Sequence, residues 1–339
     1  MKTRSIYSKR AKGFSIRYWV LMILLALGCG KDENTSNTNT QETGSNQNEE
    51  TGNTNTQETG SNQNEDNSNT NTQETGKRTL ETCTTSIDDN APAFYKTYFK
   101  CVTISMDGTD VVIESENLPP HDTFYYDTDH ANHIAYTPAN EDSRKVPGFL
   151  EAQNIRMTIP ASPVSRNLTI DASLVDAQAQ SSNNEYKMGT AGIALDSVAI
   201  FNSLARPGDS IEDEIATFDA YAAHHAGGNY HYHTATRGPL EVLQSAGIIA
   251  NPTPGSAEIE VYGIMCDGSL VLGCTELNGD EPGSNNLDAQ NGHSHDITDH
   301  LGETHFSNRY HTHLCPGETP FQGHPYTPEI QHYTECSIR

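Results

Sequence analysis

The sequence of 339 residues predicts a β-rich α+β fold: one disulfide-stabilised globular domain that is preceded by a tether. Two observations predict it. Several short stretches alternate apolar and polar residues, which is typical of strands. Only two segments combine helical spacing with helix end signals. A set of motifs that occurs twice in the same order further indicates two diverged half-modules, and we expect them to share residues 81–339 as a single domain.

Residues 1–28 are typical of a secretory signal. They contain six Lys or Arg and no acidic residue, and an apolar run occupies residues 18–27. Ten apolar residues fall short of the roughly 20 that a spanning helix needs. The run ends in Leu-Ala-Leu-Gly-Cys at residues 25–29, which resembles a lipobox. We therefore expect a lipid on Cys29 and an anchor in the cell envelope, and Gly30 at the next position favours the outer membrane.

Residues 29–80 are predicted to be a disordered tether. The octet Asn-Thr-Asn-Thr-Gln-Glu-Thr-Gly occurs at 37–44, 53–60 and 69–76, and the region is almost wholly polar. A repeat without apolar side chains cannot bury a face, so it cannot form a solenoid. Its expected role is to hold the domain away from the membrane.

The charge of the mature chain excludes one class of partner. After removal of the signal, 14 Lys and Arg remain against 45 Asp and Glu, a formal balance of −31. Such a surface repels nucleic acid and attracts cations. We expect the membrane, through the lipid, and a metal ion as partners, and no nucleic acid.

The strands of the domain are predicted at 101–105, 110–114, 154–159 and 258–262, and the helices at two places. The first helix covers 210–225, with an apolar face and a stop at Gly227-Gly228. The second begins at Pro239 and ends before Gly247.

Seven cysteines become six if Cys29 carries the lipid. An even number in an exported chain indicates three disulfides with fifteen possible connectivities. The spacing suggests that one pair closes a hairpin and that another fastens the start of the domain. Zinc ligation by these cysteines is disfavoured, because no Cys-x-x-Cys pair exists. The suggested pairs are Cys266 with Cys274 and Cys83 with Cys101, which leaves Cys315 and Cys336.

Histidines point to the chemistry of the domain. Twelve of the fifteen lie between His224 and His332, and three pairs have the form His-x-His. Residues i and i+2 of a strand face the same side, so both imidazoles of a pair can reach one ion. The pairs are His231/His233, His293/His295 and His311/His313.

The twofold order of motifs is the basis of the half-modules. Gly-Ile-x-x-Asp occurs at 192–196 and 263–267, Asp-Ala at 219 and 288, His at 224 and 293, and Tyr-His-x-His at 230–233 and 310–313. A pseudo-twofold axis would bring the two Tyr-His-x-His strands together around one ion. Four imidazoles with nearby carboxylates suit Zn, Cu or Ni better than Ca or Mg, and Zn or Cu is the expected ion. Asp219 and Asp288 would be ligands, acceptors that orient the imidazoles, or helix caps. The predicted metal-binding residues are His224, His231, His233, His293, His311, His313, Asp219 and Asp288.

The segment Gly-Gly-Asn-Tyr-His-Tyr-His at 227–233, preceded by Asp219 and His224, resembles the YHYH domain family. Stretches at 115–121, 153–160, 192–201, 262–268 and 287–293 fit its pattern in order, so the resemblance covers about 102–315. It implies an exported domain more than a reaction. The family commonly has a Cys-x-Gly-His-like run where this chain has Tyr-Ala-Ala-His-His at 221–225, which leaves open whether His224 or His225 is the family histidine.

Three functions remain open from the sequence. A metal carrier or reservoir predicts a site that protein ligands saturate. A metal-dependent hydrolase or oxidase predicts an open coordination position and a nearby general base, for which Asp296, Asp299 and Glu303 are candidates. A surface interaction protein with pH-responsive histidines predicts no metal.

Overall fold

The computed structural model describes residues 76–175, 184–205, 211–283, 287–315 and 326–339. The predicted signal, Cys29 and the repeats of the tether, apart from Gly76 at the end of the last repeat, lie outside these residues. None of the helices in the described ranges has both the length and the apolar character that crossing a membrane requires.

The first of two sheets contains five strands in the order β1-β2-β3-β4-β13. β1 and β2 are parallel, and the other neighbours are antiparallel. In β4 every second residue is buried, which is the pattern of a sheet with one face on the core. The strands are β1 (Ser86–Ile87), β2 (Thr103–Asp107), β3 (Asp110–Ser115), β4 (Ile155–Ile159) and β13 (Ser337–Ile338).

The second sheet has eight strands in the order β11-β12-β10-β9-β5-β6-β8-β7. One hydrophobic core joins it to the first sheet, and the observed β-rich α+β architecture confirms the predicted fold class. The strands are β5 (Thr190–Ala194), β6 (Ala199–Phe201), β7 (Ala223–Ala226), β8 (Asn229–Tyr232), β9 (Val261–Met265), β10 (Leu270–Leu272), β11 (Gly292–Thr298) and β12 (Thr304–His313).

The eight-stranded sheet consists of two halves with the same topology. In each half an antiparallel hairpin (β5–β6, β9–β10) is followed by a parallel neighbour (β8, β12), which pairs with an antiparallel outer strand (β7, β11). The halves meet at β5 and β9, where Ile193 pairs with Ile264, its counterpart in the other half. This self-complementary pairing is the signature of a local twofold axis, and it confirms the two half-modules.

Glycine is required where the halves meet. A Cβ on Gly192 would lie 2.7 Å from the carbonyl oxygen of Ile264, and one on Gly263 would overlap the carbonyl oxygen of Ile193. The two glycines are counterparts in the repeated Gly-Ile-x-x-Asp motif. Their lack of a side chain therefore permits the close contact of the central strands.

One predicted helix is correct and the other is wrong for most of its length. The second predicted helix is α3 (Arg237–Ser245), and a further short helix, α1 (Ala93–Tyr98), packs three aromatic side chains into the core. The first prediction is reduced to α2 (Ile211–Glu214) and a 3₁₀ turn at 215–217. The Asp219 carboxylate accepts the backbone N–H groups of Tyr221 and Ala223, which replaces helical hydrogen bonds with a turn, and β7 follows.

The six cysteines of the domain form three disulfides, as predicted: Cys83–Cys101, Cys266–Cys336 and Cys274–Cys315. The predicted pairing of Cys266 with Cys274 is wrong. β9 and β10 do form a hairpin, but Cys266 lies at its turn and Cys274 at its open end, beyond the pairing of Gly273 with Glu260. The two sulfurs are therefore separated by the length of the hairpin.

Two candidate metal centres

Histidine side chains converge at two places in the eight-stranded sheet. The β8 centre consists of His224, His231 and His233, with Glu214 beside them. The β12 centre consists of Glu276, His293, His295 and His311, with His313 beside them. All six predicted histidine ligands lie in these two centres.

The prediction that both Tyr-His-x-His strands share one ion is wrong. β8 and β12 are separated by β6, β5, β9 and β10, which is five strand spacings or roughly 24 Å across a sheet. The local axis runs between the Gly-Ile strands rather than between the histidine strands. Each half therefore builds a centre of its own.

Strand pairing places the histidines in the same way in both halves. His224 of β7 pairs with His231 of β8, and His293 of β11 pairs with His311 of β12. The match of His224 with His293 resolves which of the adjacent histidines belongs to the motif within this chain. His225 points elsewhere: its Nδ1 accepts the N–H of Gly228, and its ring packs against other residues.

In the β8 centre the ring nitrogens Nε2 face one another. Nε2 of His231 lies 2.9 Å from Nε2 of His233. The Oε2 atom of Glu214 lies 3.5 Å from Nε2 of His224 and 3.5 Å from Nε2 of His233. His231 is 1% exposed, and the other two imidazoles are also buried.

The other ring nitrogens fix the tautomers of two of these histidines. Nδ1 of His231 donates to the carbonyl oxygen of Asn229 at 2.8 Å, and Nδ1 of His233 donates to that of Asn202 at 2.7 Å. A carbonyl oxygen only accepts, so both Nδ1 atoms carry the hydrogen. In the neutral rings both Nε2 atoms then carry a lone pair and no hydrogen, so they cannot form a hydrogen bond with each other. A cation bound by both Nε2 atoms would remove the repulsion between the two lone pairs.

His224 has the same tautomer for a different reason. Thr217 donates its hydroxyl hydrogen to the carbonyl oxygen of Glu214 at 2.6 Å, so its Oγ1 accepts from Nδ1 of His224, also at 2.6 Å. Nε2 of His224 is again a lone pair, and it is buried without a hydrogen-bond partner. Three Nε2 lone pairs therefore meet in the β8 centre.

The β12 centre surrounds a carboxylate with imidazoles. Oε1 of Glu276 lies 3.0 Å from Nε2 of His293 and 3.2 Å from Nε2 of His295, and its Oε2 lies 3.2 Å from Nε2 of His311. Nε2 of His313 lies 3.1 Å from Nε2 of His293. Nε2 of His311 and Oε2 of Glu276 are close together, but neither atom makes a hydrogen bond. Nitrogens that share a tetrahedral Zn²⁺ at about 2.0–2.1 Å lie roughly 3.3 Å apart, and these separations are close to that value.

Backbone carbonyls orient the β12 histidines as well. Nδ1 of His311 donates to the carbonyl oxygen of Arg309 at 3.1 Å, and Nδ1 of His313 to that of Gly273 at 2.8 Å. Nδ1 of His295 donates to the carbonyl oxygen following it in the chain at 2.7 Å. These rings also present lone pairs at Nε2, and the carboxylate with four imidazoles suits a cation better than it suits hydrogen bonding.

Burial keeps the imidazoles of the β8 centre and the imidazole of His311 neutral and available as ligands. It lowers the pKa of His224 to about 3, with a smaller contribution from His233, and lowers that of His233 to about 4. Burial also lowers the pKa of His311 to about 4, against the opposing effect of the Glu276 carboxylate.

Asp219 and Asp288 occupy equivalent places in the two halves, beside the centres rather than in them. The hydroxyl of Tyr230 donates to Asp219 at 2.5 Å, and that of Tyr310 donates to Asp288 at 2.7 Å. Each carboxylate also accepts backbone N–H groups of the turn that precedes the outer strand. The helix-cap alternative is wrong, because each aspartate begins a turn that enters a strand.

Two ligand candidates, Glu214 and Glu276, were missed by the sequence prediction. Each belongs to the segment between the second and third strands of its half, and nothing in its immediate neighbours marks it as a ligand. The only signal is positional: the corresponding connection of each half contains two glutamates, and in each half the second or the first of them, Glu214 or Glu276, lies beside the histidines. His295 was recognised as part of a His-x-His pair but not placed at the site.

A third group of possible ligands lies at the far end of the β11–β12 hairpin. Nε2 of His305 lies 3.0 Å from Oδ2 of Asp299, with Glu303 close by. Oδ1 of Asp299 accepts the N–H groups of Leu301 and Glu303. These contacts give Asp299 and His305 a role in holding the hairpin turn.

No family model matches this chain, and no curated protein or solved structure matches it significantly. The resemblance to the YHYH domain family therefore stays a prediction from residues 102–315. What can be proposed about function comes from the two centres.

Proposed function

We propose that this chain is a lipid-anchored extracytoplasmic protein that binds two transition-metal ions, one in each half-module, as a carrier or reservoir. One observation carries the proposal. In both centres Nδ1 hydrogens are donated away from the centre, mostly to backbone carbonyls, while the Nε2 atoms converge, at 2.9 Å between His231 and His233 and at 3.1 Å between His293 and His313. Such an orientation of imidazoles by a second hydrogen bond is typical of metal ligands.

The donor set favours Zn or Cu. Each centre offers several imidazole nitrogens and one carboxylate, whereas Ca²⁺ and Mg²⁺ prefer oxygen ligands. Zinc and copper both accept imidazole, and zinc accepts a carboxylate beside it. The expected ligands are Glu214, His224, His231 and His233 in one centre, and Glu276, His293, His295, His311 and His313 in the other.

The location is proposed from the N-terminal sequence, with Cys29 as the lipidated residue and the outer membrane as the site. The three disulfides support an oxidising compartment, since disulfides persist outside the cytoplasm. The YHYH-like motifs support an exported domain.

Elemental analysis of the full chain, purified without a His tag, tests the proposal. We expect two equivalents of Zn or Cu, either as isolated or after titration with Zn²⁺ or Cu²⁺ and dialysis. The double substitution His231→Ala with His233→Ala removes one equivalent, and His311→Ala with His313→Ala removes the other. His300→Ala, which changes an exposed histidine of the same hairpin, leaves both.

Two results would contradict the proposal. Less than a tenth of an equivalent with no uptake on titration would favour the surface interaction protein. One equivalent that either double substitution abolishes, with disulfides and circular dichroism unchanged, would favour a single shared site.

A catalytic role is the second candidate, because the β12 centre borders a cavity of about 270 Å³. Of the three candidate bases only Asp296 lines this cavity, together with Glu276 and His295. Hydrolysis of a chromogenic ester by the metal-loaded protein, lost in Asp296→Asn and kept in Glu303→Gln, would support the hydrolase. Full activity in Asp296→Asn would exclude that residue as the base.

A further inference from the structure

The two centres differ in their access to solvent. In the β8 centre all three imidazoles are buried, and the most exposed of them has 7% of its side-chain surface accessible. In the β12 centre His311 and His313 are buried as well, but the side chain of His295 is 42% exposed. An ion in the β12 centre would thus have one ligand at the protein surface.

The additional ligand comes from a longer hairpin. β7 ends at Ala226, where Gly227 and Gly228 form the turn. β11 continues past the matching position, because the interval between the motif histidine and the Tyr-His-x-His motif grows from 6 to 17 residues. His295 stands where the first half has Ala226, so only the β12 centre has this fourth imidazole.

The cavity beside His295 is acidic. Besides Glu276 and His295, its lining includes Asp280, Glu281 and Asp296, and none of the described residues that line it is Lys or Arg. Carboxylates around an opening raise the local concentration of cations. The cavity therefore connects solvent to the exposed ligand through a region of negative charge.

We infer that the β12 centre exchanges its ion through this cavity, with His295 as the ligand that binds first and leaves first, whereas the β8 centre retains its ion. The inference rests on the proposed function, since it assigns different roles to the two ions. An incoming donor, such as a chelator or the ligand of an acceptor protein, can replace His295 while Glu276, His293, His311 and His313 still hold the metal.

Release kinetics test the inference. The full chain is loaded with two equivalents of Zn²⁺, or Cu²⁺ if elemental analysis finds copper, and mixed with an excess of the chromogenic chelator 4-(2-pyridylazo)resorcinol. We expect one equivalent to leave at least tenfold faster than the other. The fast phase persists when His231 and His233 are replaced by alanine, and it disappears when His311 and His313 are replaced.

His295→Ala provides a variant that leaves the buried ligands in place. We expect its fast phase to accelerate at least tenfold, because one ligand is lost, with the slow phase unchanged. His300→Ala is the matched control and should behave as the wild type. Asp280→Asn combined with Glu281→Gln should slow loading of the β12 centre, most strongly at low ionic strength.

The outcomes distinguish failure of the proposed metal binding from failure of the inferred exchange at the β12 centre. Failure of the wild type to retain the metal contradicts the proposed function itself. Two equivalents that leave in one phase, or a fast phase that belongs to the β8 centre, overturn only the inference. An unchanged fast phase in His295→Ala also overturns it, and this reading does not depend on the variants with buried substitutions.

Discussion

Asp196 ends the Gly-Ile-x-x-Asp motif of the first half, and its carboxyl group is fully buried. The hydroxyl of Tyr232, the residue between the two β8 histidines, donates to its Oδ2 at 2.8 Å, while its Oδ1 has no hydrogen-bond partner. Burial raises the pKa of Asp196 from 3.8 to about 7. Near neutral pH the domain thus carries a buried, incompletely solvated charge behind the β8 centre.

The substitution Asp196→Asn removes this titration and keeps an acceptor for Tyr232. The folded-state pKa of the wild type lies above the unfolded value, so the unfolded state loses its proton first and the stability of the wild type falls as pH rises from about 4 to about 7. With pKa values of 3.8 and about 7, the free energy of unfolding of the variant should gain roughly 3 kcal/mol on the wild type between pH 5 and pH 8. The cost of burying an unpaired amide is the same at both pH values and cancels.

The measurement is urea unfolding of both proteins at pH 5 and pH 8, with excess chelator so that metal binding does not contribute. The quantity of interest is the variant-minus-wild-type difference at each pH, since other titrating groups are common to both proteins. Asp129→Asn, a change at an exposed aspartate, should show no such gain. Parallel pH profiles for wild type and Asp196→Asn would refute the assignment of a raised pKa to this carboxyl.

Two further predictions concern the β12 half. Replacing Cys274 and Cys315 by serine should lower the metal content after dialysis from two equivalents towards one. The reason is that this disulfide holds the segments on either side of the β12 centre. Retention of both equivalents would contradict this prediction. Gly292→Ala should destabilise the domain by roughly 1–3 kcal/mol in thermal or urea unfolding, because its Cβ would overlap the buried Tyr310 hydroxyl. Gly283→Ala, where a Cβ has open space, is the matched control, and equal effects of the two changes would exclude the steric explanation.

The repeat could be predicted from sequence, but the position of its axis could not be deduced from the matching motifs. The motifs that occur twice in the same order show that His231 corresponds to His311, but they do not show which strands pair at the local axis. The useful signal lay in composition. The Gly-Ile segments are almost wholly apolar, as expected of central strands covered on both faces, and all five residues of β9 are buried. The histidine strands, which alternate polar side chains, lie further out.

The failed helix prediction has a local cause. Helical spacing relates four apolar residues, Ile211, Ile215, Phe218 and Ala222. The spacing does not reveal, however, that a side chain can replace the backbone hydrogen bonds of the helix. The carboxylate of Asp219 captures two backbone N–H groups, and Ala222 adopts a positive φ of 53°. Asn291, its counterpart in the second half, has a φ of 58°, so this turn is a shared device that directs the outer strand and its histidine into each centre.

The orientation of the ligands is the part of the site that sequence reveals least. His233 donates to the carbonyl oxygen of Asn202, directly after β6, and His313 donates to that of Gly273, directly after β10. These acceptors are equivalent in the two halves although one residue is Asn and the other Gly, because the hydrogen bond is made by the backbone carbonyl and not by the side chain. Divergence could therefore alter exposure and add His295 while strand pairing kept the Nε2 lone pairs converging. A duplicated fold of this kind keeps the geometry of a candidate metal centre in its hydrogen-bonded backbone and leaves the exposure of the centre free to change.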